Sequence, residues 1–135
     1  MALSYLLDTD ICSFLSRKQP SMVVARFEKI QPGDAAISVI TYGELTYGAL
    51  RGAQPDRGVA ELSRLLTLIP VLPIPQNAGE AYGAIRAALD RRGEPIGGND
   101  LWIAAHALAS DLILVTNNER EFKRVKDLKV ENWAK

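Results

Sequence analysis

Ser4-Tyr5-Leu6-Leu7-Asp8-Thr9-Asp10 is the stretch that decides the fold. A short apolar run gives way at once to acidic and hydroxyl residues, which reads as a buried strand ending abruptly. A carboxylate at that point is mounted on rigid scaffold, at the carboxyl edge where open α/β sheets bind their ligands. Asp8 is therefore the first candidate functional residue. Thr9 and Asp10 both suit the N-cap of a following helix over 11–16. Three later segments are placed to meet Asp8: Glu44, the only acid between Asp34 and Asp56; Asp100, after Gly97-Gly98-Asn99; and the run 116–121.

The rest of the chain alternates helices and strands. Pro20 opens a helix carrying Met22, Val23, Ala25, Phe27 and Ile30, and Pro32-Gly33-Asp34 marks a turn before a strand over 35–39. A helix over 41–51 contains Gly43 and Gly48, residues that lower helix propensity and often mark close approach by another backbone or a partner. Pro55 opens the next helix, with Val59, Leu62, Leu65, Leu66 and Ile69 on one broad face. Val71-Leu72, bracketed by Pro70 and Pro73, reads as a short edge strand. A long helix over 76–92, a helix over 101–110 capped by Asn99, a strand over 112–115 covered on both faces and a last edge strand over 128–130 complete the pattern. Such alternation predicts an α/β fold. It is a three-layer α/β/α domain around a mainly parallel sheet of four to five strands, with 1–135 as one domain.

Lys plus Arg is 16 and Asp plus Glu is 16, so the net charge is zero and the chain cannot coat nucleic acid by overall charge. Any such contact falls to local groups, at Arg86, Arg91 and Arg92 or at Arg120, Lys123, Arg124 and Lys126, which otherwise read as solvated helix faces. Cys12 is the only cysteine, which excludes an intrachain disulfide and leaves a small core residue. No apolar run reaches membrane-spanning length and no leader precedes the first strand, so the expected compartment is the cytoplasm, with no membrane partner.

Glu44 lies between Ile40, Tyr47 and Gly48 on a helical wheel, with Arg51 further along, so it is expected to be partly enclosed. Asp100 shares a face with Ile103, Ala104 and Ala107, while His106 lies well round the helix and reads as a surface residue. Thr116, Asn117 and Asn118 follow the fourth strand and serve equally as a turn and cap or as site residues, and Glu121 turns inward beside Phe122. Crowded carboxylates raise one another's pKa values unless a cation intervenes. An all-oxygen site suits Mg²⁺ or Mn²⁺, not zinc, and the chemistry that follows is metal-dependent hydrolysis of a nucleic-acid backbone.

These pieces resemble the PIN-domain nucleases, and in detail the VapC toxins of bacterial toxin–antitoxin pairs. The resemblance rests on 5–12, the helix bearing Glu44, Pro95-Ile96-Gly97-Gly98-Asn99-Asp100, Leu114-Val115-Thr116-Asn117-Asn118 with Glu121-Phe122, and the tail 128–133. It implies that Asp8, Glu44 and Asp100 are the metal-binding acids and that Thr116 is a supporting hydroxyl. The family commonly places another acid where this chain has Asn118, and Glu121, one helical turn on, is the residue that would compensate. The resemblance also implies an endoribonuclease, a homodimer within a larger toxin–antitoxin complex, a VapB-type antitoxin that blocks the site, and RNA, with transfer RNA among the substrates of relatives.

Two other readings start from the same residues. Asp8-Thr9-Asp10 after a strand is also the opening of haloacid-dehalogenase-type phosphatases, but that chemistry wants a lysine near the developing charge and none occurs between Lys29 and Lys123. A non-catalytic PIN-like scaffold is favoured only by Asn118 standing in place of an acid.

Overall fold

The computed structural model describes residues 3–31 and 33–135; Pro32, in the expected turn, lies outside them. Among the described residues, five short strands form one sheet: β1 (Tyr5–Leu7), β2 (Ala35–Ser38), β3 (Val71–Leu72), β4 (Ile113–Val115) and β5 (Val130–Glu131). Their order is β3-β2-β1-β4-β5 and every pairing is parallel, with Tyr5 opposite both Ala35 and Ile113, and Val115 opposite both Leu7 and Glu131. The proline-flanked β3 and the last strand are the two edges, as expected, but the last strand lies at Val130–Glu131 and not over 128–130.

Helices α1 (Thr9–Arg17), α2 (Ser21–Lys29), α3 (Val39–Arg51), α4 (Pro55–Leu66), α5 (Asn77–Arg91), α6 (Gly98–Ala109) and α7 (Glu119–Phe122) fill the connections. Alternation along the strands divides the interior into two cores. Leu6 and Leu114 face one core with Ile85, Leu89, Ile103 and Phe122, while Leu7 and Val115 face the other with Ile11, Cys12, Val23, Ile37 and Leu65. Layers of helix therefore cover both faces of the sheet, which is why its strands are continuously apolar. Trp133 closes the second core, its ring edge-on to Tyr5 at 5.4 Å.

Several elements start or stop away from their expected ends, for identifiable reasons. Helix α1 begins at Thr9, because Asp8 itself is the N-cap and its carboxylate accepts from the Thr9 amide at 2.8 Å; Thr9 and Asp10 do not take that role. Likewise Ser38 caps α3 by accepting from the Ile40 amide at 3.2 Å, which pulls the helix start back to Val39. Helix α6 begins at Gly98 with no side-chain cap, so Asn99 sits inside its first turn and is free to bond elsewhere. The glycine expectation also shifts. Within the described chain nothing lies within 4 Å of a Cβ placed at Gly43 or Gly48, whereas one at Gly58 would meet Ala49 at 3.1 Å. The close α3–α4 approach is therefore made by Gly58.

His106 is the clearest departure. It is 1% exposed, not a surface residue, because α6 is buried nearly all round, from Leu101 through Ala107. Its Nδ1 is hydrogen-bonded to Ser38 Oγ at 2.9 Å, and burial pushes its pKa below the usual histidine value. This bond joins the helix that carries Asp100 to the strand end that caps the helix carrying Glu44. Replacing His106 with Leu leaves the Ser38 hydroxyl without that partner in a dry site. The expected cost is about 1–2 kcal/mol, read as a melting temperature lower by roughly 3–8 °C.

Candidate active site at the carboxyl edge of the sheet

The strand order reverses direction on either side of β1: the chain builds outward through β2 and β3, then returns to β4 on the other flank. In open α/β sheets that switch point, outside the carboxyl ends of the strands, is where ligands bind. Asp8 follows β1 and Thr116 follows β4, so both stand at this crevice. The Asp8 amide bonds to the Val115 carbonyl at 2.8 Å, and the Thr116 amide to the Glu131 carbonyl at 3.0 Å. The backbone under both side chains is thus fixed by the sheet.

Asp8 is 6% exposed and both its carboxylate oxygens are engaged. Oδ1 accepts from the Thr9 amide, and Oδ2 accepts from the Thr116 hydroxyl at 2.7 Å. The Thr116 hydroxyl also accepts from the Asn118 amide at 3.0 Å, so Thr116 orients Asp8 and shapes the turn into α7 together. Burial, followed by the charge of Asp10, pushes the Asp8 carboxyl up to about 6 against the lowering effect of Thr116 and Thr9.

Glu44 reaches the crevice from α3, partly enclosed as its wheel position required. The Thr9 hydroxyl donates a short hydrogen bond to its Oε1, and Asn99 Nδ2 donates to its Oε2 at 3.2 Å. Asp100 enters from the first turn of α6, with Ile103, Ala104 and Ala107 fully buried behind it. Burial, then the charges of Asp8, Glu121 and Glu44, raises the Asp100 carboxyl to about 7, and a hydrogen bond shared with Glu121 adds to the rise. Asp100 therefore feels the charges of acids from three other helical segments or their caps at one edge.

Glu121 projects from α7 and bridges the far side. Its Oε1 accepts from the Gly97 amide at 3.1 Å, and its Oε2 accepts from Asn118 Nδ2. Asn118 thus holds Glu121 and faces the same crevice. Asp10 is adjacent: its Oδ2 accepts from the Asn117 amide at 3.1 Å, its Oδ1 is buried with no hydrogen-bond partner among the described residues, and burial raises its pKa.

The donor set is all oxygen, and two of its acids, Asp8 and Asp100, hold protons more tightly because they are buried and stand beside other carboxylates. That is the chemistry a hard divalent cation satisfies, and Mg²⁺ in particular completes its shell with water and asks few protein ligands. Among the described residues no three His, Cys, Asp or Glu side chains close into a ready-made cage. Hydrogen bonds from Thr9 and Asn99 orient Glu44, and one from Thr116 orients Asp8, at the crevice edge. Sequence reasoning took Thr9 and Asn99 for caps and so missed their bonds to Glu44. Only their chemistry, hydroxyl and amide donors beside acids, offered a signal.

The cationic residues separate into roles. Arg92 and Arg124 tie loops, Arg92 donating to the Arg124 carbonyl and Arg124 to the Pro95 carbonyl at 3.1 Å, while Arg86 pairs with Asp90 at 3.9 Å on α5. Lys123 and Lys126 lie beyond the end of the short α7 and are exposed.

The fold and its edge site define a class. The sequence pattern of the PIN domain matches residues 5–128. A tRNA(fMet)-specific endonuclease VapC from Shigella flexneri is 42% identical over 98% of this chain and 99% of its own length. Ribonuclease VapC2 from Haemophilus influenzae is 40% identical over the same shares. A crystal structure of DNA-bound VapBC from Salmonella typhimurium superposes with a TM-score of 0.92 at 37% identity, covering 98% of this chain and 99% of that one. The chain belongs to the PIN-domain family and, within it, to the VapC ribonucleases. That membership sets aside the phosphatase reading of Asp8 and Asp10.

Proposed function

We propose that this chain is the endoribonuclease toxin of a toxin–antitoxin pair, cutting RNA at the crevice lined by Asp8, Glu44 and Asp100 with Mg²⁺ or Mn²⁺ as cofactor. The observation that carries the reading is the convergence of these acids on the switch point, where burial first, and neighbouring carboxylate charge second, hold Asp8 and Asp100 above the usual carboxylate range. A divalent cation bound there would neutralise developing charge on the phosphoryl group and favour a water nucleophile.

In this reading Asp8, Glu44 and Asp100 hold the cation. Thr116 fixes the Asp8 carboxylate through its hydroxyl, and Thr9 and Asn99 fix Glu44. Glu121 and Asn118 complete the far side, with Glu121 the carboxylate that replaces the family's usual acid and Asn118 its support. Replacing Thr116 with Val removes both hydroxyl bonds. Cleavage at neutral pH is then expected to fall about tenfold, since loss of a lowering hydrogen bond leaves more Asp8 protonated.

The relatives named as tRNA(fMet)-specific endonucleases make initiator transfer RNA the favoured substrate. The Salmonella neighbour is a VapBC complex, which supports a VapB-type antitoxin as partner; in this reading the antitoxin blocks the crevice and the chain forms a homodimer inside the assembly. The chain acts as one PIN domain over 1–135. It works in the cytoplasm, where its substrate is; no helix among the described residues is long and apolar enough to cross a membrane. Incubating purified protein and Mg²⁺ with initiator and elongator methionine transfer RNAs tests the substrate: a cut confined to the initiator supports it. Cleavage of no RNA under divalent supply overturns the enzymatic reading.

A further inference from the structure

Beside the acids, α3 presents a feature that the metal site leaves unused. A cavity of about 660 Å³ opens against Val39, Gly43, Glu44, Tyr47, Arg51 and Asn99. It shares Glu44 and Asn99 with the acid cluster, so whatever fills it lies next to the reacting bond. Gly43 is among its lining residues, and a Cβ placed there would meet nothing within 4 Å, which leaves room against the helix. Tyr47, one turn beyond, is 66% exposed, far more than a tyrosine needed for the core. The Arg51 guanidinium lies 5.6 Å from the Tyr47 ring centroid and has no ion pair among the described residues.

A largely exposed tyrosine ring with an arginine over one side of it, in a groove that leads to a nuclease centre, suits single-stranded RNA. Every base has a face that stacks, and its phosphate takes the positive charge. With zero net charge overall, the chain must grip its substrate through local groups of this kind. We propose that Gly43, Tyr47 and Arg51 form a nucleotide subsite flanking the scissile phosphate, Tyr47 stacking on an unpaired base and Arg51 binding a neighbouring phosphate. This rests on the ribonuclease reading and adds to it where the substrate is held. It also specifies an unpaired RNA segment, since a base within a duplex offers no free face.

The test measures binding of a short fluorescein-labelled single-stranded RNA by anisotropy, in an Asp8→Asn background that prevents cleavage. It also measures KM and kcat in the otherwise native chain. Tyr47→Ala is expected to weaken binding about tenfold and raise KM with little change in kcat, while Tyr47→Phe, which keeps the ring, restores both. Arg51→Ala is expected to reduce the salt slope of log affinity by about one, and Arg51→Lys to keep it. Light scattering on each variant reports the oligomer. RNA affinity unchanged in Tyr47→Ala overturns the subsite, as does a change confined to oligomeric state, which would make the Tyr47 face a contact between copies. Either result leaves wild-type cleavage intact; a wild type that cuts no RNA instead removes the reading beneath it.

Discussion

Asp8→Asn is expected to reduce RNA cleavage by on the order of 10³-fold while leaving the fold intact, measured as initial rates on labelled RNA beside a thermal melt. Asparagine keeps the shape, and its carbonyl oxygen still accepts a bond from Thr116 or the Thr9 amide, which hold the native carboxylate at 2.7 and 2.8 Å. What it removes is the charge. In the absence of a cation that charge is a burden, because a carboxyl whose pKa rises from 3.8 to about 6 is disfavoured in its ionised form by roughly 3 kcal/mol. The variant is therefore expected to melt at or above the wild-type temperature at pH 8. Lost activity with equal or greater stability is the mark of a group retained for chemistry. A variant that fails to fold would assign Asp8 to the scaffold through its capping role.

The second large effect is the dependence of stability on pH and divalent ions. Asp8 and Asp100 both titrate above their ordinary value of 3.8, at about 6 and about 7. The folded state thus binds protons more tightly than the unfolded chain. The stabilisation they lend is complete below about pH 4 and is lost as pH rises through 6 and 7. The metal-free protein is expected to lose melting temperature across that window, and Mn²⁺ is expected to reverse the loss. At pH 8 and a hundredfold excess over its dissociation constant, the ion adds about 2.7 kcal/mol, a rise of roughly 10 °C. At pH 5 protons compete for the same oxygens and the rise shrinks. Asp100→Asn should flatten the metal-free profile and abolish the response to Mn²⁺. A melting temperature indifferent to Mn²⁺ at pH 8 would count against cation binding at this edge.

Much of the layout is legible in residues 4–10, because a strand that ends in a carboxylate states both where the sheet edge lies and what stands on it. Prolines around Val71-Leu72 likewise marked an edge strand, and the apolar run at 112–115 a strand covered on both faces. Less legible were helix starts at Asp8 and Ser38, where one buried side chain at the end of a strand also serves as cap. His106 was misplaced because a wheel assumes one wet face, and α6 has almost none, lying between the sheet and α5. Nor can local pattern reveal that Thr9 bonds Glu44 across 35 residues, or Asn99 across 55; those pairs exist only once the crevice closes.

The measurement that tests the central claim most directly is cleavage of labelled RNA by the purified chain, before and after chelation. The acid cluster as a divalent-cation nuclease site predicts that EDTA stops cleavage and that excess Mg²⁺ or Mn²⁺ restores it in the native chain but not in Asp8→Asn. Cleavage that survives EDTA, or persists undiminished in Asp8→Asn, would contradict it.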